Sequence, residues 1–359
     1  MSSDFKSLAA SHVEPARSRL YRVAIVGAAS LKGKEIADVL NDRNFPSTDV
    51  KLLDDDESLG QLEAVGDEVT FIQKVRAEEF HHVDFTFFAS DPECTRKTWK
   101  NARAAGSAVV DLSYALEDEL EAVVRSPWLE RQLGQSPAPE LQPAPAVVAH
   151  PAAVVLALLM ERLRKGAEIR RAVATVFEPA SEHGQKGMDE LHEQTVNLLS
   201  FQQLPKDVFG VQVAFNMVSG CGEKSAPVLA TTEKRILKHY SKIAGKDTSL
   251  PSLLLVQAPI FHGHALALNV ELGEPADLDL ISQSLAGEHV HLTQGAEEAP
   301  SNVNAAGLSD VQVSIRPDGA QPNGFWLWVA FDNLRVAATT AVECAETMAA
   351  TRPARGKVQ

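Results

Sequence analysis

The hydrophobic positions in the first part of this chain form short continuous runs with longer amphipathic segments between them. Four apolar runs lie at 23–26, 50–53, 85–89 and 108–111. Runs of this length are typical of parallel strands that are buried on both faces and joined by crossover helices. The pattern therefore predicts an α/β domain built on a parallel sheet.

A second α/β pattern follows, in which some strands show a period of two. Five strands are predicted, at 172–178, 253–260, 266–271, 311–316 and 325–331. Two of them alternate apolar and polar positions, as antiparallel strands do when only one face is covered. Between the two patterns, residues 135–145 contain four prolines and cannot form a long helix. We therefore expect a surface loop there, followed by an apolar helix over 152–164.

Length and composition support a two-domain globular protein. A chain of 359 residues exceeds what one hydrophobic core usually organises. Its 45% apolar and 23% charged residues are typical of a globular protein. Residues 1–20 are polar and are predicted to form a flexible tail.

The acidic net charge of -14 at pH 7 limits the partners that we expect. Nucleic acid and anionic membrane surfaces both need a basic face. No apolar run reaches the roughly 18 residues of a membrane span, and residues 1–20 lack the apolar core of a secretory signal. Cys94, Cys221 and Cys344 are odd in number and widely spaced, which favours reduced thiols. We therefore expect a cytoplasmic protein that binds neither nucleic acid nor membrane.

The turn from Gly27 to Gly33 is a candidate nucleotide site. It follows a predicted buried strand and opens a helix, where backbone N–H groups and the helix dipole receive a pyrophosphate. Asp54 lies about 20 residues further on, where an acidic residue binds the ribose hydroxyls of NAD. Residues 54–57 are consecutive carboxylates that would repel the 2′-phosphate of NADP. NAD is therefore favoured over NADP; a plain tight turn and a solvated acidic loop are the alternative interpretations.

Three segments carry a resemblance that covers nearly the whole chain. They are VAIVGAASLKGKE at 23–35 with RNFP at 43–46, APIFHGH at 258–264 with NVE at 269–271, and LWVA at 327–330 with DNLRVAA at 332–338. Each is weakly specific alone, but together and in this order they resemble the aspartate-semialdehyde dehydrogenase family. The chain is most similar to the USG-1-like branch of that family.

The resemblance implies a fold, an assembly and an activity. The fold would be α/β, with an N-terminal Rossmann-type dinucleotide-binding domain and an α+β semialdehyde-dehydrogenase dimerisation domain. The first would span 21–149 and be completed by a C-terminal helix at 335–352. The second would span 150–334 and form a homodimer, with the active site between the domains. The activity would be NAD(P)-dependent chemistry on an aldehyde in amino-acid biosynthesis.

The same resemblance places the cofactor positions on Gly27, Ser30, Leu31, Gly33 and Asn333. The family has a middle glycine where this chain has Ser30. The serine side chain would either crowd the approach of a phosphate to the backbone or donate a hydrogen bond to it.

The catalytic positions of the family are only partly retained. The nucleophilic cysteine falls on Ala153, whose methyl group cannot attack an aldehyde. Loss of a covalent nucleophile costs on the order of 10⁶ in turnover, or about 8 kcal/mol of barrier. The acid–base histidine is retained as His264, where an imidazole could transfer a proton near neutral pH. The alternative for His264 is a structural role in a strand-end turn.

The substrate-binding positions of the family are also changed. The arginine that clamps the substrate carboxylate falls on Gln257, and the phosphate-binding arginine falls on Glu117. The glutamine that orients the substrate falls on Glu178, and the phosphate-site lysine falls on Arg235. Because the nucleophile and both anion clamps change together, we expect a degenerate site in a nucleotide-binding or protein-binding homologue.

Two enzymatic alternatives stay open at this point. Cys94, predicted near a helix start, could be a relocated thiol, although its acidic neighbours raise the pKa of a thiol. Glu178 and His264 could instead form an acid–base pair for another chemistry. The histidines at 262 and 264, and those at 289 and 291, have a strand spacing seen in some zinc sites. No metal is expected, because no neighbouring cysteine or carboxylate trio completes a tetrahedral set.

Overall fold

The computed structural model describes residues 20–54, 60, 62–65, 68–135, 142–220, 229–293 and 298–352. Except for Leu20, the predicted N-terminal tail lies outside these residues. The acidic residues that follow Asp54, most of the proline-rich loop and Cys221 also lie outside them. Within the described ranges, no helix combines the length and the apolar character that crossing a membrane requires.

The first domain contains a seven-stranded sheet whose ladders are all parallel. The described strands of this domain, including two outside the sheet, are β1 (Tyr21–Val26), β2 (Ser47–Asp54), β3 (Leu62–Val65), β4 (Glu68–Phe71), β5 (Gln73–Lys74), β6 (Phe85–Phe88), β7 (Ala108–Asp111), β8 (Val123–Arg125) and β9 (Ala146–Val148). The sheet order is β5-β2-β1-β6-β7-β9-β8, and β3 pairs with β4 in a separate hairpin. Its helices are α1 (Leu31–Asp42), α2 (Pro92–Ala104) and α3 (Pro127–Gln132), with a 3₁₀ helix at Ala77–Phe80. This architecture confirms the predicted Rossmann-type α/β domain.

The central strand β1 shows why the sequence of this sheet is continuously apolar. Val23 and Ile25 belong to one buried cluster, whereas Ala24 and Val26 belong to a second one. Successive side chains of a strand point to opposite faces of the sheet. Because helices cover both faces, neither set of side chains tolerates polar groups.

The second domain is a mixed six-stranded sheet in the order β11-β10-β12-β15-β14-β13. Its described strands are β10 (Ile169–Glu178), β11 (Ser252–Gln257), β12 (His264–Leu272), β13 (Val290–Leu292), β14 (Val311–Pro317) and β15 (Gly324–Phe331). Its helices are α4 (Pro151–Gly166), α5 (Gly184–Leu199), α6 (Leu229–Ile243), α7 (Leu278–Leu285) and α8 (Asn302–Ala305), with a 3₁₀ helix at Ala180–His183. From Ala172 onward, buried side chains of β10 alternate with half-buried ones, which is the period of two of a strand covered on one face.

Two details of the second domain differ from the prediction. Strand β11 ends at Gln257 rather than at residue 260. Pro259 follows two residues later and has no N–H group to continue a ladder. His262 and His289 both precede the strands that contain His264 and His291, so neither histidine pair lies within one strand.

The last described helix, α9 (Asn333–Thr351), returns to the first domain. Its small residues pack against α1 and the inner strands, where Ala338 and Ala341 have no exposed surface. At its first turn, Arg335 donates to Glu35 Oε1 at 3.0 Å and also pairs with Asp42 at the end of α1. The core of the first domain is therefore built from both ends of the chain.

Candidate active site

A cleft of about 710 Å³ opens where the carboxyl ends of strands from both sheets meet. Residues at the ends of β1, β6, β7 and β10 line it, together with the first turns of α1 and α5, the N-cap of α4 and one side of α6. In doubly wound sheets, ligands bind at this edge because the loops and helix N-termini converge there. The fold thus places Ser30 and Leu31 of the predicted turn around one cavity with Glu178 and Arg235, two of the predicted substrate-binding positions.

The strand-to-helix turn is tight at both of its glycines. Gly27 has a φ of 84°, and a Cβ there would lie 2.3 Å from the backbone nitrogen of Ser90. A Cβ on Gly33 would lie 2.1 Å from the carbonyl oxygen of Gly27. Both glycines therefore allow β1, α1 and the strand-end loop of β6 to approach one another.

Several donors of this turn are already bonded inside the protein. Ser30 is the N-cap of α1, where its hydroxyl accepts from Gly33 N at 2.9 Å and donates to the Ala89 carbonyl at 3.0 Å. Asp54 Oδ2 accepts a hydrogen bond from Ala29 N at 2.8 Å. The Ser30 hydroxyl is therefore committed to capping in this structure, and one oxygen of Asp54 holds the turn.

The first turn of α1 keeps open backbone donors toward the cleft. Leu31 and Lys32 line the cavity, and their N–H groups have no acceptor within the described part of the chain. The first N–H groups of a helix lack intrahelical partners and favour anions. At the start of α1, these two backbone N–H groups are therefore the donors that could bind an anion.

The nucleophile position is closed. Ala153 lies in the first turn of α4, has no exposed surface and packs within the largest hydrophobic cluster. The cleft instead meets the N-cap residue His150, whose Nδ1 accepts from Ala152 N at 3.2 Å. Burial, the largest influence, holds the pKa of His150 well below its usual value, so its neutral ring carries the proton on Nε2.

The two phosphate-site positions neutralise each other. Arg235 binds Glu117 in a bidentate pair, with Nε at 2.9 Å and a terminal guanidinium nitrogen at 3.0 Å from the carboxylate oxygens. His239 adds a contact of 3.1 Å from Nε2 to Glu117 Oε2. Burial raises the pKa of Glu117, but these hydrogen bonds and the charge of Arg235 outweigh it and lower the pKa to about 2. The one retained cation is therefore paired with a carboxylate.

A buried carboxylate, Glu182, lies at the centre of a polar cluster. Its Oε1 accepts from Asn333 Nδ2 at 2.9 Å, and its oxygens lie 4.0 Å from His150 Nε2 and 3.9 Å from His264 Nδ1. Burial raises the pKa of Glu182, but the charge of Lys32 and the Asn333 hydrogen bond outweigh it and lower the pKa to about 2. Glu182 is therefore ionised at neutral pH.

His264 is placed near this cluster but beneath the cleft surface. It has no exposed surface, and its ring stacks on Phe331 with the centroids 5.1 Å apart. Neither ring nitrogen has a hydrogen-bond partner among the described residues. Burial, as the leading cause, lowers the pKa of His264, so the ring is neutral. The acid–base role of His264 remains a prediction.

Glu178 and Gln257 lie side by side at the ends of the paired strands β10 and β11. Gln257 Nε2 donates to the carbonyl oxygens of Glu178 and Ala258 at 3.0 and 3.2 Å. His183 Nε2 lies 2.9 Å from Gln257 Oε1 and 3.0 Å from Glu178 Oε1. Burial lowers the pKa of His183, but these contacts outweigh it and raise that pKa. The Gln257 amide is thus used within the protein.

Asn333 is likewise bonded internally. Its Oδ1 accepts from Ser181 Oγ and from Gly263 N, both at 3.2 Å, while Nδ2 donates to Glu182. The side chain therefore joins the start of α9 to two loops of the second domain. Contact with a cofactor, which the resemblance implied, remains a prediction for this residue.

Cys94 lies in the first turn of α2, where its backbone N–H donates to the N-cap Asp91 at 3.0 Å. Burial is the main cause of a raised thiol pKa, and Asp91 raises it further. The residue is not part of the cleft lining, whereas Ser90, Asp91 and Pro92 are. These surroundings oppose formation of a thiolate.

Sequence reasoning assigned no role to several residues that line the cleft or its walls. These are Lys32, Tyr114, His150, Glu182, His183 and His239. Tyr114 is central among them, since the Lys32 amine lies 4.7 Å and the Arg235 guanidinium 4.8 Å from its ring centroid. A signal was present at Glu182 and His183, because they lie four and five residues after the end of β10, and loops that follow strand ends form the ligand edge of such a sheet.

The fold and cleft define a two-domain protein with a dinucleotide-binding first domain. Residues 22–135 match the family model described as the semialdehyde dehydrogenase NAD binding domain. Residues 160–336 match the model described as the semialdehyde dehydrogenase dimerisation domain. The chain belongs to the semialdehyde dehydrogenase family.

Similar proteins carry two kinds of name. A USG-1 protein homolog from Pseudomonas aeruginosa is 31% identical over 320 residues, which cover 89% of this chain and 94% of that protein. An aspartate-semialdehyde dehydrogenase from Rickettsia bellii is 28% identical over 338 residues, covering 92% and 98%. The solved structure of a probable aspartate-semialdehyde dehydrogenase from Pseudomonas aeruginosa has a TM-score of 0.81 and 29% identity, covering 91% of this chain and 98% of that one. The predicted family is confirmed.

Proposed function

We propose that this chain is a ligand-binding member of its family that does not convert aspartate semialdehyde through a cysteine thioester. The observation that carries the proposal is Ala153, a fully buried methyl group at the position that the family resemblance gives to the nucleophile. The pairing of Arg235 with Glu117 supports it, because this pair leaves no free guanidinium for a phosphate. A thioester route needs both groups.

Nucleotide binding remains part of this proposal, with NAD favoured over NADP. The matched first domain is of the NAD-binding type. Leu31 and Lys32 offer N–H donors at the start of α1, which supports contact with a pyrophosphate. Asp54 at the end of β2 supports the preference for NAD, since its carboxylate would oppose a 2′-phosphate. A larger rise in melting temperature with NADP than with NAD would contradict this preference.

We further propose a homodimer in the cytoplasm. The matched dimerisation domain supports the dimer. The described free thiols, Cys94 and Cys344, support a reducing compartment.

The test of the central proposal is an enzyme assay. Purified protein is mixed with aspartate semialdehyde, inorganic phosphate and either NAD or NADP, and the absorbance of reduced nicotinamide is followed. We expect no change above the rate without protein. An active relative from the same family serves as positive control. Turnover by the wild-type protein would refute the proposal, and loss of that turnover in Cys94→Ala would identify the relocated thiol.

A second variant tests whether one substitution explains the expected inactivity. Ala153→Cys restores a thiol at the start of α4 but leaves the Arg235–Glu117 pair in place. We expect that this variant also fails to turn over: even if the thiol supported hydride transfer, at most one equivalent of reduced nicotinamide would form, because no free cation would hold phosphate for cleavage of the thioester. Full activity of Ala153→Cys would show that only the nucleophile was lost.

A second candidate function is acid–base chemistry in the same cleft. The observation that favours it is the contact of 3.0 Å between His183 Nε2 and Glu178 Oε1, since a carboxylate that orients an imidazole is a recurrent general base. This pair replaces the predicted pairing of Glu178 with His264, which lies beneath the cleft surface.

A further inference from the structure

The floor of the cleft holds a carboxylate whose hydrogen-bonding capacity is unfilled. Glu178 ends β10, lines the cleft and has no exposed surface. Its Oε1 lies 3.0 Å from His183 Nε2, and Oε2 has no donor among the described residues. A buried carboxylate usually accepts several hydrogen bonds, because its desolvation otherwise goes uncompensated. Glu178 therefore has a buried oxygen at the floor of the cleft that accepts no hydrogen bond from the described residues.

The neighbours of Glu178 cannot supply a donor to this oxygen. The amide nitrogen of Gln257 donates to two carbonyl oxygens, at 3.0 and 3.2 Å, and thus points away from the carboxylate. His183 has one Nε2–H group, and it lies between Gln257 Oε1 at 2.9 Å and Glu178 Oε1 at 3.0 Å. None of these described neighbours supplies the donor, and a molecule in the cavity could supply it.

The charges around the floor favour a cation over an anion. Glu182, the second carboxylate of the floor, is almost fully buried and is ionised, with a pKa of about 2. Arg235 is cancelled by Glu117 in a bidentate pair. Among the cleft-lining bases, Lys186 is exposed at the rim, the Lys32 amine lies over the Tyr114 ring, and His183 already contacts Glu178 Oε1. An anionic group at Glu178 would meet two carboxylates without a free guanidinium.

We propose that the cleft binds a small molecule through a protonated amine that is seated against Glu178. An ammonium group supplies three N–H donors and a positive charge, and both match the unfilled carboxylate. The inference rests on the proposed function, because a working dehydrogenase of this family would need the same cleft for phosphate. The ligand of the non-catalytic cleft would then be a small amine.

The test uses three probes that share a four-carbon chain and differ only in their end groups. Putrescine carries two ammonium groups, γ-aminobutyrate carries one ammonium and one carboxylate, and succinate carries two carboxylates. Each is titrated into the full-length protein by isothermal calorimetry, without cofactor or phosphate. Putrescine and γ-aminobutyrate are expected to bind, and succinate is expected to give no heat of binding.

Two substitutions test whether the bound amine contacts Glu178. Glu178→Gln keeps the size of the side chain and an acceptor for His183, and it is expected to lower the association constant of putrescine by about tenfold or more. Glu193→Gln on the exposed side of α5 is the matched control, and it should bind as the wild type does. If Glu178→Gln does not fold, the order of the three probes on the wild-type protein still decides.

The outcomes separate this inference from the proposed function. Absence of binding by both amines, equal or tighter binding of succinate, or unchanged putrescine binding by Glu178→Gln would each overturn the amine site. None of these results affects the enzyme assay. Turnover of aspartate semialdehyde would overturn the proposed function, even if putrescine bound as expected.

Discussion

At the scale of single residues, the cleft is shaped by carboxylates that take up the positive charges of its walls. Glu117 pairs with Arg235, and Glu182 is stabilised by the charge of Lys32 and by a hydrogen bond from Asn333. Both acids have pKa values of about 2. The Arg235 guanidinium is therefore present in the site but is not free to bind an anionic ligand. Because Arg235 is neutralised by its ion pair, substitution of Glu117 should free the guanidinium.

Glu117→Gln should convert the wall of the cleft into an anion site. The substitution frees the Arg235 guanidinium, which is only partly exposed, and should cost about 1–3 kcal/mol of unfolding free energy. Inorganic phosphate should then raise the melting temperature of the variant, while it leaves the wild type unchanged. Asp118→Asn is the control, since Asp118 is exposed and its pair with Lys238 should contribute about 1 kcal/mol or less. Equal effects of phosphate on both proteins would contradict the neutralised pair.

Glu182→Gln should reduce the dependence of stability on acid pH. The pKa of Glu182 is lowered in the folded state, so its contribution is present above the unfolded pKa and is lost as pH falls toward about 2. A shift of this size corresponds to on the order of 3 kcal/mol. Urea unfolding at a series of pH values should show the wild type more stable at neutral pH and the two proteins converging in acid. A constant difference between them at all pH values would refute this assignment.

At this scale, local features of the site could be predicted from the sequence, but contacts between distant side chains could not. The buried strands of the first sheet and the Gly27–Gly33 turn could be predicted, because they depend on local periodicity and turn chemistry. The family resemblance, and not periodicity, singled out Glu178 and Gln257. The pair of Arg235 with Glu117 joins residues 118 positions apart, through an ion pair between α6 and the loop after β7. Whether Arg235 would hold a phosphate or a neighbouring carboxylate depends on side-chain geometry that no spacing rule contains.

At the scale of elements, the junction of β1 and α1 depends on close backbone contact. Gly33 lies in the first turn of α1, and the space that a Cβ would need is taken by the carbonyl oxygen of Gly27. The turn also determines the direction of the Leu31 and Lys32 N–H groups. A change at Gly33 would therefore alter both the packing of the helix and the donors of the cleft.

Gly33→Ala should separate this effect from the ordinary effect of replacing a glycine. The added Cβ would lie 2.1 Å from a backbone oxygen, so the helix must shift, and we expect a loss of roughly 2 kcal/mol or more. Gly319→Ala is the control, because a Cβ there meets no atom within 4 Å and φ is not in the left-handed region. The control should change stability by about 0.5 kcal/mol or less. Chemical denaturation of both variants measures the difference, and equal losses would show that the contact at Gly33 relaxes freely.

At the scale of the whole molecule, the second sheet has one face that its own helices leave partly open. Ala267 in the middle of β12 pairs with Thr175 of β10 on one side and with Trp328 of β15 on the other. All three side chains are half-buried or exposed, and Trp328 has 36% of its surface exposed. Phe177 extends the surface, with its ring centroid 6.1 Å from that of Trp328. An apolar sheet face of this kind is suited to pairing with a second copy.

Ala267→Glu tests the proposed homodimer without disturbing the core. Within one subunit the new carboxylate would point to water, so the fold and its melting transition should persist. In a dimer formed through this face, the carboxylate would be buried without a partner, at a cost of about 3 kcal/mol or more, which weakens association at least about 100-fold. Light scattering at micromolar concentration should give a dimer mass for the wild type and a monomer mass for the variant. Leu120→Glu, at a fully exposed position of the first domain, should remain dimeric. A dimeric Ala267→Glu protein would place the interface elsewhere, and a monomeric wild type would exclude the proposed assembly.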